Sequence, residues 1–187
     1  MLSMNDVKLK ALTRIHAHLC GDGCLCRYKT SEKDRINRAE ILYFNNNTNL
    51  LFSFKKDMSL VFNVSMSYND KQKKVYVKSI RIATFLLTLS EYKSRSWRIP
   101  SLVKNANSEV KLEWIKAFAL DEGYIPKDRN AIRIKSVNFA GLQDIQQLLQ
   151  TINIRSTISG PNCDHTWYLN IRKENALSDF YKISVRK

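Results

Sequence analysis

The chain has 187 residues, 31 Lys and Arg against 17 Asp and Glu, and a formal net charge of +14 at neutral pH. With 44% apolar residues it is not disordered by composition, and its length is enough to bury the core of one large domain or two small packed units. No apolar run approaches the roughly 18 residues a membrane span needs, and five Gly and three Pro exclude collagen-like and linker-rich classes. So large a positive charge implies an anionic partner, and nucleic acid is the commonest. The polar segment from Met1 to Lys10 has no secretory pattern. Four cysteines (Cys20, Cys24, Cys26 and Cys163) are too few for a disulfide scaffold of this size and suit a reducing, cytoplasmic compartment.

Along the chain, Leu12, Ile15 and Leu19 mark one face of a first helix that stops near Gly23. Strands follow at Arg27–Thr30 and Ala39–Phe44, reading as a hairpin. The polar run Asn45–Asn49 caps a helix with Leu50, Leu51 and Phe54 on its apolar face. Strands are expected at Leu60–Ser67 and Lys74–Ser79, and a helix at Ile82–Tyr92. Residues 93–109, with Pro100 and a polar run, read as a connector. A second helix (Val110, Trp114, Ala117 and Phe118 apolar) stops near Gly123. Strands near 124–125 and 131–135, a helix at 141–151, strands at 156–159 and 166–171 and a helix at 174–183 complete the chain. The expected units are therefore 1–92, a linker 93–109, and 110–187.

The two halves recur. Ile15-His16-Ala17-His18-Leu19-Cys20-Gly21-Asp22-Gly23 and Ile115-Lys116-Ala117-Phe118-Ala119-Leu120-Asp121-Glu122-Gly123 share Ile, Ala, an acid and Gly at equal offsets, 100 residues apart. An acid at a helix C-terminus is electrostatically disfavoured, so its double occurrence suggests a function. If the two helices pack side by side, Asp22 and Glu122 emerge together, and a hard divalent cation such as Mg²⁺ relieves their repulsion. Ala17 and Gly21, four residues apart, with Ala117 opposite, would let the backbones approach. Residues 1–105 carry a net charge of +11 and 106–187 only +3. Much of the surplus lies on or near the first hairpin, at Arg27, Lys29, Lys33, Arg35 and Arg38.

These motifs resemble the paired motifs of the LAGLIDADG homing endonucleases, especially the single-chain, two-motif members encoded in archaeal introns. Asn45-Asn46-Asn47-Thr48-Asn49-Leu50 is similar to the segment entering the family's second helix, and Tyr168-Leu169-Asn170-Ile171 to its last strand. The resemblance implies an α+β fold: a pseudo-twofold tandem αββαββα repeat. Two antiparallel β-sheets would form a DNA-binding saddle, with the motif helices packed at the centre. It implies a monomer that hydrolyses both strands of a long DNA target with Mg²⁺ (Mn²⁺ or Ca²⁺ substituting in binding) and leaves short 3′ overhangs. Asp22 and Glu122 would be the catalytic acids and metal ligands, with Gly21 and Asp121 beside them. Asn45 takes the family's polar position in the first half and Ser136 in the second. Lys78 and Arg172 take the basic positions, with Lys127 a second candidate. Arg27, Lys29, Lys33, Arg35, Arg38, Arg133 and Lys135 would contact DNA. No intein splice junction is expected, since the chain begins with Met1 and ends in Lys187.

Asp121 departs from the family pattern, in which this helix position is small, and His16 and His18 replace apolar or small residues. At least one of these two should face solvent or a sheet. Cys20, Cys24 and Cys26 have the spacing C-x3-C-x-C, which is not a common zinc pattern, and read as incidental thiols. Trp97, Trp114, Trp167 and Phe85 read as core, and Tyr28 and Tyr43 as candidates for a DNA-facing hairpin. The alternative is a non-cleaving nucleic-acid-binding protein of the same fold, an intron RNA maturase or a degenerate endonuclease.

Overall fold

The computed structural model describes residues 5–29, 37–126 and 131–172. It divides into two compact units, Met1–Tyr92 and Lys93–Lys187. In the first, α1 (Asp6–Cys20) starts where the Asn5 side chain accepts the Lys8 N–H at 2.9 Å, with Asp6 in the first turn favouring the helix dipole. Then come β1 (Gly23–Tyr28), β2 (Arg38–Phe44), α2 (Thr48–Phe62), β3 (Ser67–Asn69), β4 (Lys74–Lys78) and α3 (Ile80–Leu89). The strands form an antiparallel sheet in the order β1-β2-β4-β3. Alternation gives it two faces. Ala39, Ile41, Tyr43 and Val75 are buried on one face, and α2 and α3 pack against β2. The other face carries Cys24, Cys26, Tyr28, Arg38, Glu40, Lys74, Tyr76 and Lys78.

The second unit contains α4 (Ser101–Lys104), α5 (Ser108–Glu122), β5 (Gly123–Tyr124), β6 (Ala131–Ser136), α6 (Phe139–Gln150), β7 (Thr157–Ser159) and β8 (Trp167–Arg172). Its antiparallel sheet has the order β5-β6-β8-β7, the same pattern as the first. Ile132, Ile134, Leu169 and Ile171 are buried on one face. Tyr124, Arg133, Lys135, Tyr168, Asn170 and Arg172 share the other. The fold is α+β, with the order αββαββα in the first unit and αββαββ from α5 to β8 in the second. The helix expected at 174–183 lies outside the described residues.

Three local readings change. Leu60–Phe62 continue α2 instead of opening a strand, and the helix ends at Asn63, whose φ of 53° is left-handed. The apolar run fits either period, and the cap lies beyond it. The stretch 93–109 is no bare connector. Trp97, Ile99 and Val103 are buried, and α4 and the start of α5 fall inside it. Trp97 packs tilted against Phe118 (4.8 Å between centroids) and covers Gly141, where a Cβ would come within 2.4 Å of the indole. Its carbonyl accepts from Asn138 Nδ2 at 2.7 Å. Finally, Phe85 is 39% exposed, so it is not core.

Candidate active site

The first motif acid sits at a helix–strand corner. The N–H of Gly21, the residue that ends α1, donates to the Ala17 carbonyl at 3.1 Å. Asp22 follows, and β1 starts at once with Gly23. A Cβ at Gly23 would lie 2.5 Å from Leu19 Cα and 2.9 Å from the His18 carbonyl, so only glycine lets the strand leave this close to the helix. Asp22 Oδ2 accepts from Asn45 Nδ2 at 3.0 Å, and its carbonyl accepts from the Phe44 N–H at 3.3 Å.

Asn45 is 6% exposed and held at both ends of its amide. Nδ2 also donates to the Tyr43 hydroxyl at 3.3 Å, while Oδ1 accepts from the Asn47 N–H at 2.9 Å. Tyr43 is fully buried, with ring centroids 4.8 Å from both His18 and Phe54. An aromatic cluster thus fixes Tyr43, Tyr43 and Asn47 fix Asn45, and Asn45 orients one oxygen of Asp22. Tyr43 therefore does not belong to the open sheet face, as the sequence suggested. Its role in the corner was missed because the alternation of β2 alone does not say what meets its hydroxyl.

In the second corner the helix runs two residues further, so that the acid is its last residue and the following glycine its cap. Glu122 ends α5, and the N–H of Gly123 donates to the Ala119 carbonyl. Asp121, at the position of Gly21, is 1% exposed. Strand register aligns the two units residue by residue. Gly23 pairs with Tyr43, and Gly123 with Ile134. Two residues further on stand Asn45 and Ser136. The Asn138 N–H donates to Ser136 Oγ at 3.1 Å, just as the Asn47 N–H donates to Asn45, and Asn47 and Asn138 both cap the next helix. Three residues before Tyr43 and Ile134 stand Glu40 and Ala131, which pair with Lys78 and Arg172. Acid, polar and basic residues thus occupy matching points in both units.

The remaining candidates divide by place. Arg38 lies on the open face of the first sheet, opposite Tyr28. Arg27 pairs with Ala39, so it points to the other side, at the exposed end of the hairpin near the exposed Lys29. Lys33, Arg35 and Lys127 lie outside the described residues. Arg133 and Lys135 lie on the open face of the second sheet. Lys135 Nζ is 2.7 Å from Asp164 Oδ2, and this contact, with the Thr166 hydroxyl, holds the Asp164 carboxyl down at about 2. Sequence reasoning does not single out Lys74 and Tyr76, although Lys74-Val75-Tyr76-Val77-Lys78 alternates plainly. Lys74 Nζ sits 5.3 Å from the Tyr76 ring and 5.7 Å from that of Phe44.

Both motif histidines are buried. His16 packs on Tyr92 (5.3 Å), with Nδ1 3.7 Å from Cys20 Sγ; burial lowers its pKa to about 3, so it is neutral in the working range. His18 faces the sheet through Tyr43, as one of the pair was expected to do. Among the described residues, no three His, Cys, Asp or Glu side chains are grouped to hold a metal ion. The corners instead offer carboxylate oxygens. These fit Mg²⁺, which needs only one or two carboxylates and completes its shell with water and phosphate oxygens.

Residues 109–183 match the family model described as a LAGLIDADG-like domain. Over 114 residues (59% of this chain), the sequence is 25% identical to the ribonucleoside-diphosphate reductase NrdEB subunit alpha of Bacillus subtilis (strain 168), and equally to that of Bacillus phage SPbeta. The match spans only about a tenth of those relatives' length. Homing endonuclease I-DmoI in complex with DNA and Mn superposes with a TM-score of 0.69 at 17% identity, covering 89% of this chain and 92% of that one. Full-length DUF199/WhiA from Thermatoga maritima superposes at 0.59 with 13% identity, covering 100% and 59%. The N-terminal LAGLIDADG domain of DUF199/WhiA gives 0.56 at 10% identity, covering 96% and 85%. Residues 109–183 thus match a LAGLIDADG-like domain, and the chain shares the fold of the homing endonuclease I-DmoI and of the WhiA LAGLIDADG domain.

Proposed function

We propose that the chain is a homing-type DNA endonuclease that cleaves both strands of a long target in the presence of Mg²⁺. One observation carries the reading: Asp22, Asn45 and Lys78 recur as Glu122, Ser136 and Arg172 at equivalent register points of the two units. A fold needs no such recurrence of acid, polar and basic side chains. Asp22 and Glu122 would each offer a carboxylate to divalent metal, and Asn45 would keep the Asp22 oxygen aimed. Lys78 and Arg172 would neutralise the phosphate at each corner, with Lys127 a further candidate. When bound, the divalent ion polarises the phosphoryl group and lowers the pKa of its water. The open sheet faces, with Arg38, Lys74, Arg133 and Lys135, would take DNA. Their phosphate contacts fix position, and their base contacts fix sequence. The likeness to I-DmoI bound to DNA and Mn is consistent with this use of the fold.

A second reading has one observation in its favour. Asp121 puts a buried carboxyl at the position Gly21 occupies in the other copy. A non-cleaving binder of DNA or intron RNA tolerates that change, because it needs no metal at the corner. A cleavage selection on randomised duplexes with Mg²⁺ separates the two. The endonuclease reading expects a narrow set of sites cut on both strands with short 3′ overhangs. Tight binding with no cut at any metal concentration would leave the binder.

A further inference from the structure

We propose that Cys24 and Cys26 form a dithiol that two-electron oxidation closes into a disulfide, and that this closure weakens nucleic-acid binding by the first sheet. Residues two apart on a strand share a face. Cys24 stands opposite Leu42 and Cys26 opposite Glu40, on the face that carries Tyr76 and Lys78 and away from buried Ile41 and Tyr43. The two Sγ atoms are 3.2 Å apart. Strand β1 is at the edge of its sheet, Cys26 is exposed and Cys24 half-buried, whereas Cys20 is buried.

The chemistry needs only a hydroperoxide. One thiol sulfur attacks the O–O bond, becoming a sulfenic acid as an alcohol leaves; the second thiol then displaces water and the S–S bond forms. Two thiols lose two electrons and two protons, and the peroxide is reduced to alcohol and water.

Closure has a mechanical consequence. A disulfide holds its Cβ atoms about 3.8 Å apart, whereas same-face neighbours on an extended strand are spaced about 6.6 Å. Strand β1 must therefore buckle at Leu25, which pairs with Ile41. The buckle lies three residues from Asp22, whose carbonyl holds the Phe44 N–H. Oxidation thus disturbs both the open face and the acid's corner. A strained, exposed disulfide is also easily reduced, so the change is reversible.

This inference rests on the nucleic-acid reading of that face, and its test has two arms. Reduced wild type, Cys163→Ser and Cys26→Ser are treated with hydrogen peroxide, blocked with iodoacetamide and digested. The segment holding Cys24 and Cys26 should lose two hydrogens in the first two proteins and not in Cys26→Ser. Duplex affinity, measured on undigested, unalkylated portions of the same peroxide-treated proteins, should fall on the order of tenfold, as loss of a few phosphate contacts requires. Dithiothreitol should restore it, and peroxide should leave the affinity of Cys26→Ser unchanged. The proposal is overturned if no bond forms, if either thiol joins Cys20 instead, or if the bond forms with affinity unchanged. A reduced chain that binds no duplex contradicts the functional reading and the gating with it, while the mass arm still decides the dithiol.

Discussion

The first and second units share the order αββαββ and their sheet order, but they surround their motif acids with different chemistry. In the first, Asn45 reaches Asp22 and is itself held by Tyr43 and Asn47. In the second, Ser136 and Ile134 stand where Asn45 and Tyr43 stand in the first. A serine hydroxyl is shorter than an amide, and an isoleucine offers no hydrogen bond. The strand register is thus repeated while the residues beside the acid are not. The open faces differ too: Cys24, Cys26, Phe44 and Lys74 on one, Arg133, Lys135, Tyr168 and Asn170 on the other. A duplicated fold can therefore keep its strand order and register and change how each corner is tuned and what each face carries.

The largest test removes what the two corners have in common. Chelating divalent metal should abolish cleavage of both strands and leave duplex binding intact, read on a denaturing gel beside a mobility shift. Cleavage surviving chelation would break the metal premise for both units. The next test probes the asymmetry. Asn45→Ala should slow single-turnover cleavage on the order of 10- to 100-fold, as loss of a group that orients a metal ligand does, and Ser136→Ala should cost much less. Equal losses would mean that the buried chain through Tyr43 has no functional consequence.

A third comparison concerns stability. Each unit clamps a buried carboxylate on its sheet-covering helix. Arg14 Nε and Nη2 hold Asp57 at 2.8 and 2.6 Å. Arg98 Nε and Nη2, both at 2.8 Å, hold Asp144 together with Lys104 and the Ile99 N–H. Burial alone would raise the Asp144 pKa, but those hydrogen bonds outweigh it and hold the carboxyl below the usual value. Stability from this shift is present above about pH 4, the unfolded carboxyl value, and is lost as pH falls through the folded one. Asp144→Asn should cost about 1–3 kcal/mol near neutral pH, less than a fully buried pair because Arg98 is half exposed. It should also flatten the acid limb of a urea-unfolding series, and an unchanged acid limb would contradict the clamp's role. The smallest effect concerns the matched basic residues. Lys78→Ala and Arg172→Ala should each reduce the salt slope of DNA binding by about one, and by the same amount in both units.

Much of this was legible in the sequence. The recurrence around Asp22 and Glu122 announces itself in residue identities, and the helix–strand order follows from a change of period after each copy. The equivalence of Lys78 with Arg172 was reached by resemblance, and strand register supplies its geometric basis. Long-range contacts were not legible. Nothing local in Trp97 or Arg98 reveals that they dock on Gly141 and Asp144, more than forty residues away. Tyr43 read as a surface aromatic because alternation assigns a face without saying which face is covered. Leu60–Phe62 read as strand because a three-residue apolar run carries no period of its own.

The central claim is that Asp22 and Glu122 act in chemistry and not in folding. It is tested most directly by measuring cleavage and binding together for Asp22→Asn and Glu122→Gln on the selected target. The account predicts that either substitution abolishes double-strand cleavage while affinity for the uncut duplex and thermal stability stay at the wild-type level. Cleavage that persists in both variants, or binding and stability that fall in step with cutting, would contradict it.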